Sequence, residues 1–168
     1  MTPEEVIRLL GLRPHPEGGY YRETYRSSLS IPASGLPERY GGSRPASTAI
    51  YYLLTSDCAS APHRVASDEI WHFYLGDPLE LLTISPEGDL EVARLGADLL
   101  SGEVPQKLVP AGFWQAARVA DGGRWSLVGC TVAPGFTYED FELGDWEELF
   151  RAFPEGRDLL ARFRFGGS

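Results

Sequence analysis

The sequence predicts an all-β fold with short flanking helices, a sandwich or barrel of short strands. Two observations carry that prediction. Short runs rich in Val, Ile, Leu, Thr and aromatic residues recur along most of the chain, with turn signals about every 8–12 residues between them. Nineteen Gly and thirteen Pro supply those turns and leave little room for long helices.

In chain order, Thr2-Pro3-Glu4-Glu5 is a capping box with proline at the first helical position. Val6, Leu9 and Leu10 form one apolar stripe, and Gly11 suits the stop. Pro16-Glu17-Gly18-Gly19 predicts a turn and Tyr20 to Ser27 a strand. Ile31 to Arg44 is broken by Pro and Gly, a loop long enough to serve as a lid or an interface segment. Ser47 to Thr55 predicts a buried strand. Asp57 to Pro62 turns the chain into SAPHRVASDEIWHFYLG, residues 60–76, which holds two of the three histidines.

Leu79 to Ile84 and Leu90 to Leu95 flank Ser85-Pro86-Glu87-Gly88-Asp89, a hairpin signal. Val104 to Val109, Trp114 to Val119 and Arg124 to Val132 continue the pattern, making about nine strands. After glycine-rich residues 134–144, Asp145 caps a helix with Glu148 three residues on. A second helical piece spans Pro154 to Phe163. With no linker, repeat or low-complexity segment, residues 1–168 are expected to form a single domain.

Hydrophobic residues at 43% mark a globular chain. The net charge is −9, with one basic cluster near Arg22, Arg26, Arg39 and Arg44, so a nucleic acid polymer is not an expected partner. No apolar stretch approaches the roughly 18 residues needed to span a bilayer, so no membrane is expected either. Cys58 and Cys130 have no CxxC spacing, and MTPEEVIRLLGL lacks a signal-type apolar run. A reducing, cytoplasmic setting is expected.

Residues 60–76 hold the chemistry. Side chains alternate along a strand, so His63 and Val65 share one face, as do Glu69, Trp71 and Phe73. If the Ala66-Ser67-Asp68 turn preserves parity, His63 and Glu69 look into one interior while His72 points the other way. A histidine beside a carboxylate suits proton transfer, and a carboxylate on an inward face needs a partner, for which Arg64, Arg22 or His63 are the choices. Each also has a structural alternative, His63 as a loop hydrogen-bonder and Asp68 as a turn former. Cys130, in an apolar strand, is expected to be buried and unreactive, and His15, between two prolines, to be a loop residue.

These residues carry a resemblance. His63-x-Val65-x3-Glu69-x6-Gly76 has the spacing of the first cupin motif, and Pro110-x-Gly112-x2-Gln115 is similar to the second. RPASTAIYYLL, HRVASDEIWHFYLGDPLELL, VPAGFWQAA and GFTYEDFELGD resemble the cupin_5 family, formerly a domain of unknown function (DUF985), across roughly residues 5–150. The resemblance implies a cupin double-stranded β-helix (jelly-roll barrel), commonly a homodimer, with the pocket inside the barrel.

Of the four ligand positions of a metal cupin, the chain supplies His63 and Glu69, with Val65 and Gln115 at the other two. Valine offers no ligand atom and an amide is a weak one, so no cofactor is expected, with a divalent metal on His63, Glu69 and Gln115 as the alternative. PEGGYYRETYRS is also similar to a segment of the metal-free sugar-nucleotide epimerases of this fold, which use a pocket histidine as base and a tyrosine as acid. The leading expectation is a small-molecule-binding cupin, an epimerase- or isomerase-like enzyme for a sugar- or nucleotide-like ligand. Its catalytic residues are His63 and Glu69, and its ligand-binding residues are Trp71, Gln115, Tyr51 and Phe73. Candidate acids are Tyr20, Tyr21, Tyr51, Tyr52 and Tyr138. The alternatives are a metal-dependent dioxygenase or isomerase, and a non-catalytic ligand-binding protein.

Overall fold

The computed structural model describes residues 1–165, so the last three residues of the expected 1–168 span lie outside the described residues. Helix α1 (Pro3–Leu10) is followed by strands β1 (Arg13–Pro14), β2 (Tyr20–Arg26), β3 (Ser30–Ile31), β4 (Arg44–Pro45), β5 (Thr48–Thr55), β6 (Ala59–Arg64) and β7 (Asp68–Gly76). Then come β8 (Leu79–Ile84), β9 (Leu90–Leu95), β10 (Gln106–Val109), β11 (Trp114–Val119), β12 (Trp125–Ala133) and β13 (Glu142–Leu143), and helices α2 (Trp146–Ala152) and α3 (Arg157–Ala161). The second helical piece of the tail begins as a 3-10 turn, Pro154–Gly156, before α3.

Two sheets form the body, in orders β1-β2-β5-β12-β7-β10 and β13-β6-β11-β8-β9. Their inner faces meet in one apolar core, with Tyr52, Trp71 and Val128 from the first sheet against Leu79, Leu81 and Ala117 from the second. The layered arrangement buries one face of each strand. It is a two-layer arrangement of short strands, as the strand spacing predicts, and the jelly roll that the resemblance implies.

The helices explain strands that are apolar on both faces. Strand β8, LELLTI, is buried at every position. Leu79 and Leu81 face the interior, whereas Leu82 and Ile84 face outward under Leu149, Phe150, Leu160 and Phe163 of the tail. Helix α1 covers the other sheet in the same way, packing Val6 on Leu53 and Leu127. Its capping box is formed, with Glu5 N–H donating to Thr2 Oγ1 and Thr2 N–H to Glu5 Oε2. The expected loop over residues 31–44 holds two 3-10 turns, and its ends pair as β3 and β4.

Candidate functional site

Gly18 and Gly19 position the site. Their φ angles are +111° and +75°, and a Cβ at Gly18 would stand 2.1 Å from the Ala59 carbonyl oxygen. Only a residue without Cβ lets the turn press this closely on β6. Ala61 N–H donates to Glu17 O at 2.8 Å and fixes the contact. The consequence is that Glu17, next in the turn, is driven inward and left only 8% exposed.

Inside, Ser60 Oγ donates to Glu17 Oε1 at 3.1 Å, and Glu17 Oε2 lies 3.0 Å from His63 Nδ1. His63 Nδ1 is also 2.8 Å from the Ala61 carbonyl oxygen. A backbone carbonyl oxygen can only accept, so this ring nitrogen carries the proton. Burial lowers the His63 pKa, outweighing the pull of Glu69 and the Ala61 hydrogen bond, and keeps the ring neutral. A neutral imidazole has one N–H, so Nε2 is the unprotonated, basic nitrogen.

His15 is set the opposite way. Its Nδ1 accepts from Glu17 N–H at 3.0 Å, so the proton sits on Nε2. The 3.9 Å separation of His15 Nδ1 from Glu17 Oε1 is therefore a contact of a lone pair with a carboxyl, not an ion pair. Burial lowers the His15 pKa as well. Glu17 itself is raised to about 7 by burial, which outweighs the pull of His15, Ser60 and Tyr52.

Glu69 is held from behind. Trp71 Nε1–H donates to Gln115 Oε1 at 2.8 Å, and Gln115 Nε2–H donates to Glu69 Oε1 at 2.8 Å. An indole N–H can only donate, so the amide orientation is fixed: its oxygen faces Trp71 and its NH2 faces Glu69. Burial raises the Glu69 pKa, assisted by Glu17 and opposed by His63, Gln115 and Cys130.

These groups end a cavity of about 110 Å³ between the two sheets. On a scale of roughly 10–15 Å³ per water, that holds on the order of eight waters, the room a small ring needs. Ile50, Val65 and Val132 make one wall, and Phe136, Tyr138 and Phe141 the other. The aromatic wall belongs to residues 134–143, a strap clamped by Arg44. The buried guanidinium reaches Asp140 through Nε and Nη2, each at 2.9 Å, and donates to the Tyr40 carbonyl. Thr48 Oγ1 accepts from Phe136 N–H at 2.9 Å and fixes the start of the strap.

His63 near the end of β6, Val65 just past it and Glu69 on β7 all line the cavity, while His72, next but two along β7, points away to Thr131 and Gln106. Asp68 Oδ1 accepts from Ala111 N–H and ties the start of β7 to the turn at residues 110–112. Trp71 and Gln115 are each 1% exposed and stand behind the cavity wall, reaching it only through Glu69. Tyr51 packs outside the first sheet, near α1, and Phe73 packs against the core beyond Trp71. These four are thus not the cavity's lining, because β7 runs on into a filled barrel core. The partner of Glu69 is Gln115, whereas Arg64 pairs with Glu142 and Arg22 donates to Leu10 O. Cys130 is buried as expected, with its pKa pushed well up by burial, and it also lines the cavity.

Of the five tyrosines, Tyr21 and Tyr138 line the cavity, while Tyr52 is buried with its hydroxyl on Gly18 O at 2.5 Å. Sequence reasoning missed Glu17 and His15. The signal that could have found them is the Glu-Gly-Gly turn itself, because two glycines predict close backbone approach and hence an inward neighbour.

A metal does not fit this donor set. Val65 occupies one ligand position, and the Gln115 oxygen is turned away and spent on Trp71. His63 Nδ1 is occupied by Glu17 and Ala61. Among the described residues no group of three His, Cys, Asp or Glu side chains is placed to hold an ion.

The comparisons with known proteins agree with the fold. An uncharacterized protein of Saccharomyces cerevisiae, YML079W, is 30% identical over 94% of this chain and 84% of its own length. A hypothetical protein from Leishmania major superposes with a TM-score of 0.88 at 35% identity, over 99% of this chain and all of that one. Protein SO0799 from Shewanella oneidensis superposes at 0.87 with 38% identity over 99% of both chains. Oxalate decarboxylase from Bacillus subtilis shares the fold alone, with a TM-score of 0.53 at 12% identity over 92% of this chain and 40% of that one. The family model described as Cupin superfamily (DUF985) matches residues 4–144, and the chain belongs to that family, Cupin_5.

Proposed function

We propose that this protein is a small-molecule-binding cupin that isomerises or epimerises a sugar- or nucleotide-like ligand without a metal, with His63 as general base. One observation carries the reading: Glu17 and the Ala61 carbonyl hold the proton on Nδ1 and leave Nε2 basic beside the cavity. A positioned histidine of this kind takes a proton from carbon next to a carbonyl. The C–H electron pair moves into the carbon–carbon bond and the carbonyl pair onto oxygen, giving an enolate and an imidazolium. The Glu17 carboxylate stabilises that imidazolium. Return of the proton from His63, or delivery from the opposite face by Tyr21 or Tyr138, restores the carbonyl with the same or the inverted configuration. Tyr138 suits the donor role because burial and its contact with Tyr21 push its pKa to about 12 and keep the phenol protonated.

The protein is further proposed to act in the cytoplasm as a homodimer. Support for pairing comes from Ile70 and Leu108, cross-strand neighbours that are 36% and 47% exposed on the outer sheet face. Among the described residues no helix is long and apolar enough to cross a membrane.

Nucleoside-diphosphate sugars and small hydroxyketones, screened by thermal shift and then followed by proton NMR in D2O, test the reading. Deuterium entering a carbon-bound position, and failing to do so with His63→Ala, is the expected result. Binding without exchange in the wild type would leave a binding protein and overturn the catalytic reading.

A further inference from the structure

The cavity mouth is charged differently from the rest of the molecule. The chain carries a net charge of −9, yet the ionic groups at the mouth are Arg13, Arg26 and Glu23, one positive charge in excess. Arg13 lies with its guanidinium 5.6 Å from the centre of the Tyr21 ring, which itself lines the cavity. The ring supports the guanidinium from one side and leaves its N–H edge free for a planar or tetrahedral oxyanion. Among the described residues Arg13 has no carboxylate within ion-pair distance. Arg26 is held at 2.8 Å by Glu23 and donates to Phe136 O at 3.1 Å, both through Nη2, so it adds charge at a fixed place.

We propose that Arg13, with Arg26 beside it, is the recognition site for an oxyanion group of the ligand, a phosphate or a carboxylate. This rests on the cavity being the ligand site, and it names the ligand class. A ring fits between the aliphatic and aromatic walls, its reactive end reaches His63, and its anionic end emerges between the two arginines. The inner end does not oppose an anion as strongly as its two carboxyls suggest, because burial raises both Glu17 and Glu69. In a chain this acidic, free anions are otherwise repelled, so an excess of arginine at one opening also guides them there.

Matched pairs of aromatic probes test the site by isothermal titration at low salt: phenyl phosphate against phenol, and benzoate against benzamide. The anionic member of at least one pair is expected to bind about tenfold more tightly, as a charge-assisted bidentate contact gives, and the advantage should shrink as salt is added. Phosphate and carboxylate are told apart by which pair shows the larger ratio. Arg13→Gln should erase the preference, and Glu23→Gln, which frees Arg26 of its counter-charge, should enlarge it. Equal binding within both pairs, no binding of any probe at millimolar concentration, or a preference unchanged in Arg13→Gln would overturn the assignment. His63→Ala separates the two proposals, since it should abolish proton exchange and leave the anion preference intact.

Discussion

Glu17 is a buried carboxyl, and its protonation should be visible in stability. Its pKa rises from 4.5 to about 7 on folding, so between those values the folded state binds more protons than the unfolded one. Stability is therefore greater at the acidic end and falls as pH rises through the window, by roughly 3 kcal/mol if Glu17 acted alone. Glu17→Gln removes the charge and keeps an acceptor oxygen for His63, with its NH2 turned to Ser60 Oγ, which then accepts instead of donating. Urea unfolding on either side of the window should show that slope in the wild type and a shallower one in the variant.

Gln115 makes a second prediction at this scale. Its two hydrogen bonds run between buried groups, and Gln115→Leu strands the Trp71 N–H and one oxygen of Glu69. Leaving buried polar groups unpaired costs about 1–3 kcal/mol each, so the variant should unfold at clearly lower denaturant. Neither role was legible in the sequence. Position 115 reads as a ligand position through its motif, and only the indole N–H, which cannot accept, shows that the amide oxygen is committed elsewhere. His63, Val65 and Glu69 were legible because alternation along a strand is a local rule.

The elements that shape the site are the Gly-Gly turn and the aromatic strap. A methyl group at Gly18 would overlap the Ala59 carbonyl, and the positive φ adds strain of about 1 kcal/mol or more. Gly18→Ala should push the turn off β6 and separate Glu17 from His63, seen as lost stability together with a changed His63 pKa in NMR titration. The strap depends on Arg44. Its guanidinium is buried against Asp140, whose side chain is 4% exposed, and removing one partner of a buried pair costs about 3–5 kcal/mol. Arg44→Ala should lose that much by chemical denaturation and loosen Phe136, Tyr138 and Phe141, read as faster amide hydrogen exchange across residues 136–141. The turn was predicted as a turn and residues 134–144 as a glycine-rich lead into the tail. Both have inward side chains because distant strands, β6 and β5, hold their backbones, and that partnership leaves no periodic trace in sequence.

Across the whole molecule, the strand order and the faces follow from patterns that sequence displays well. LELLTI is buried throughout because the tail helices cover its outer face, which is why burial alternates over Asp68–Trp71 of β7 and not along β8. The cavity sits at one end of this double layer, where the β7 interior changes from Glu69 to Trp71 and the filled core begins. Exposed Ile70 and Leu108 belong to the same scale. Sedimentation velocity should show a dimer that Leu108→Glu weakens, and a wild-type monomer at all concentrations would refute that arrangement.

Glu17 and the Ala61 carbonyl keep the proton on His63 Nδ1 and leave Nε2 as the base. Long-range nitrogen–proton NMR of the histidine rings at neutral pH measures this directly and needs no ligand. A neutral His63 with a protonated Nδ1 and the shift of an unprotonated Nε2 is the expected result. A proton on Nε2, or a ring that is an imidazolium at neutral pH, would contradict it.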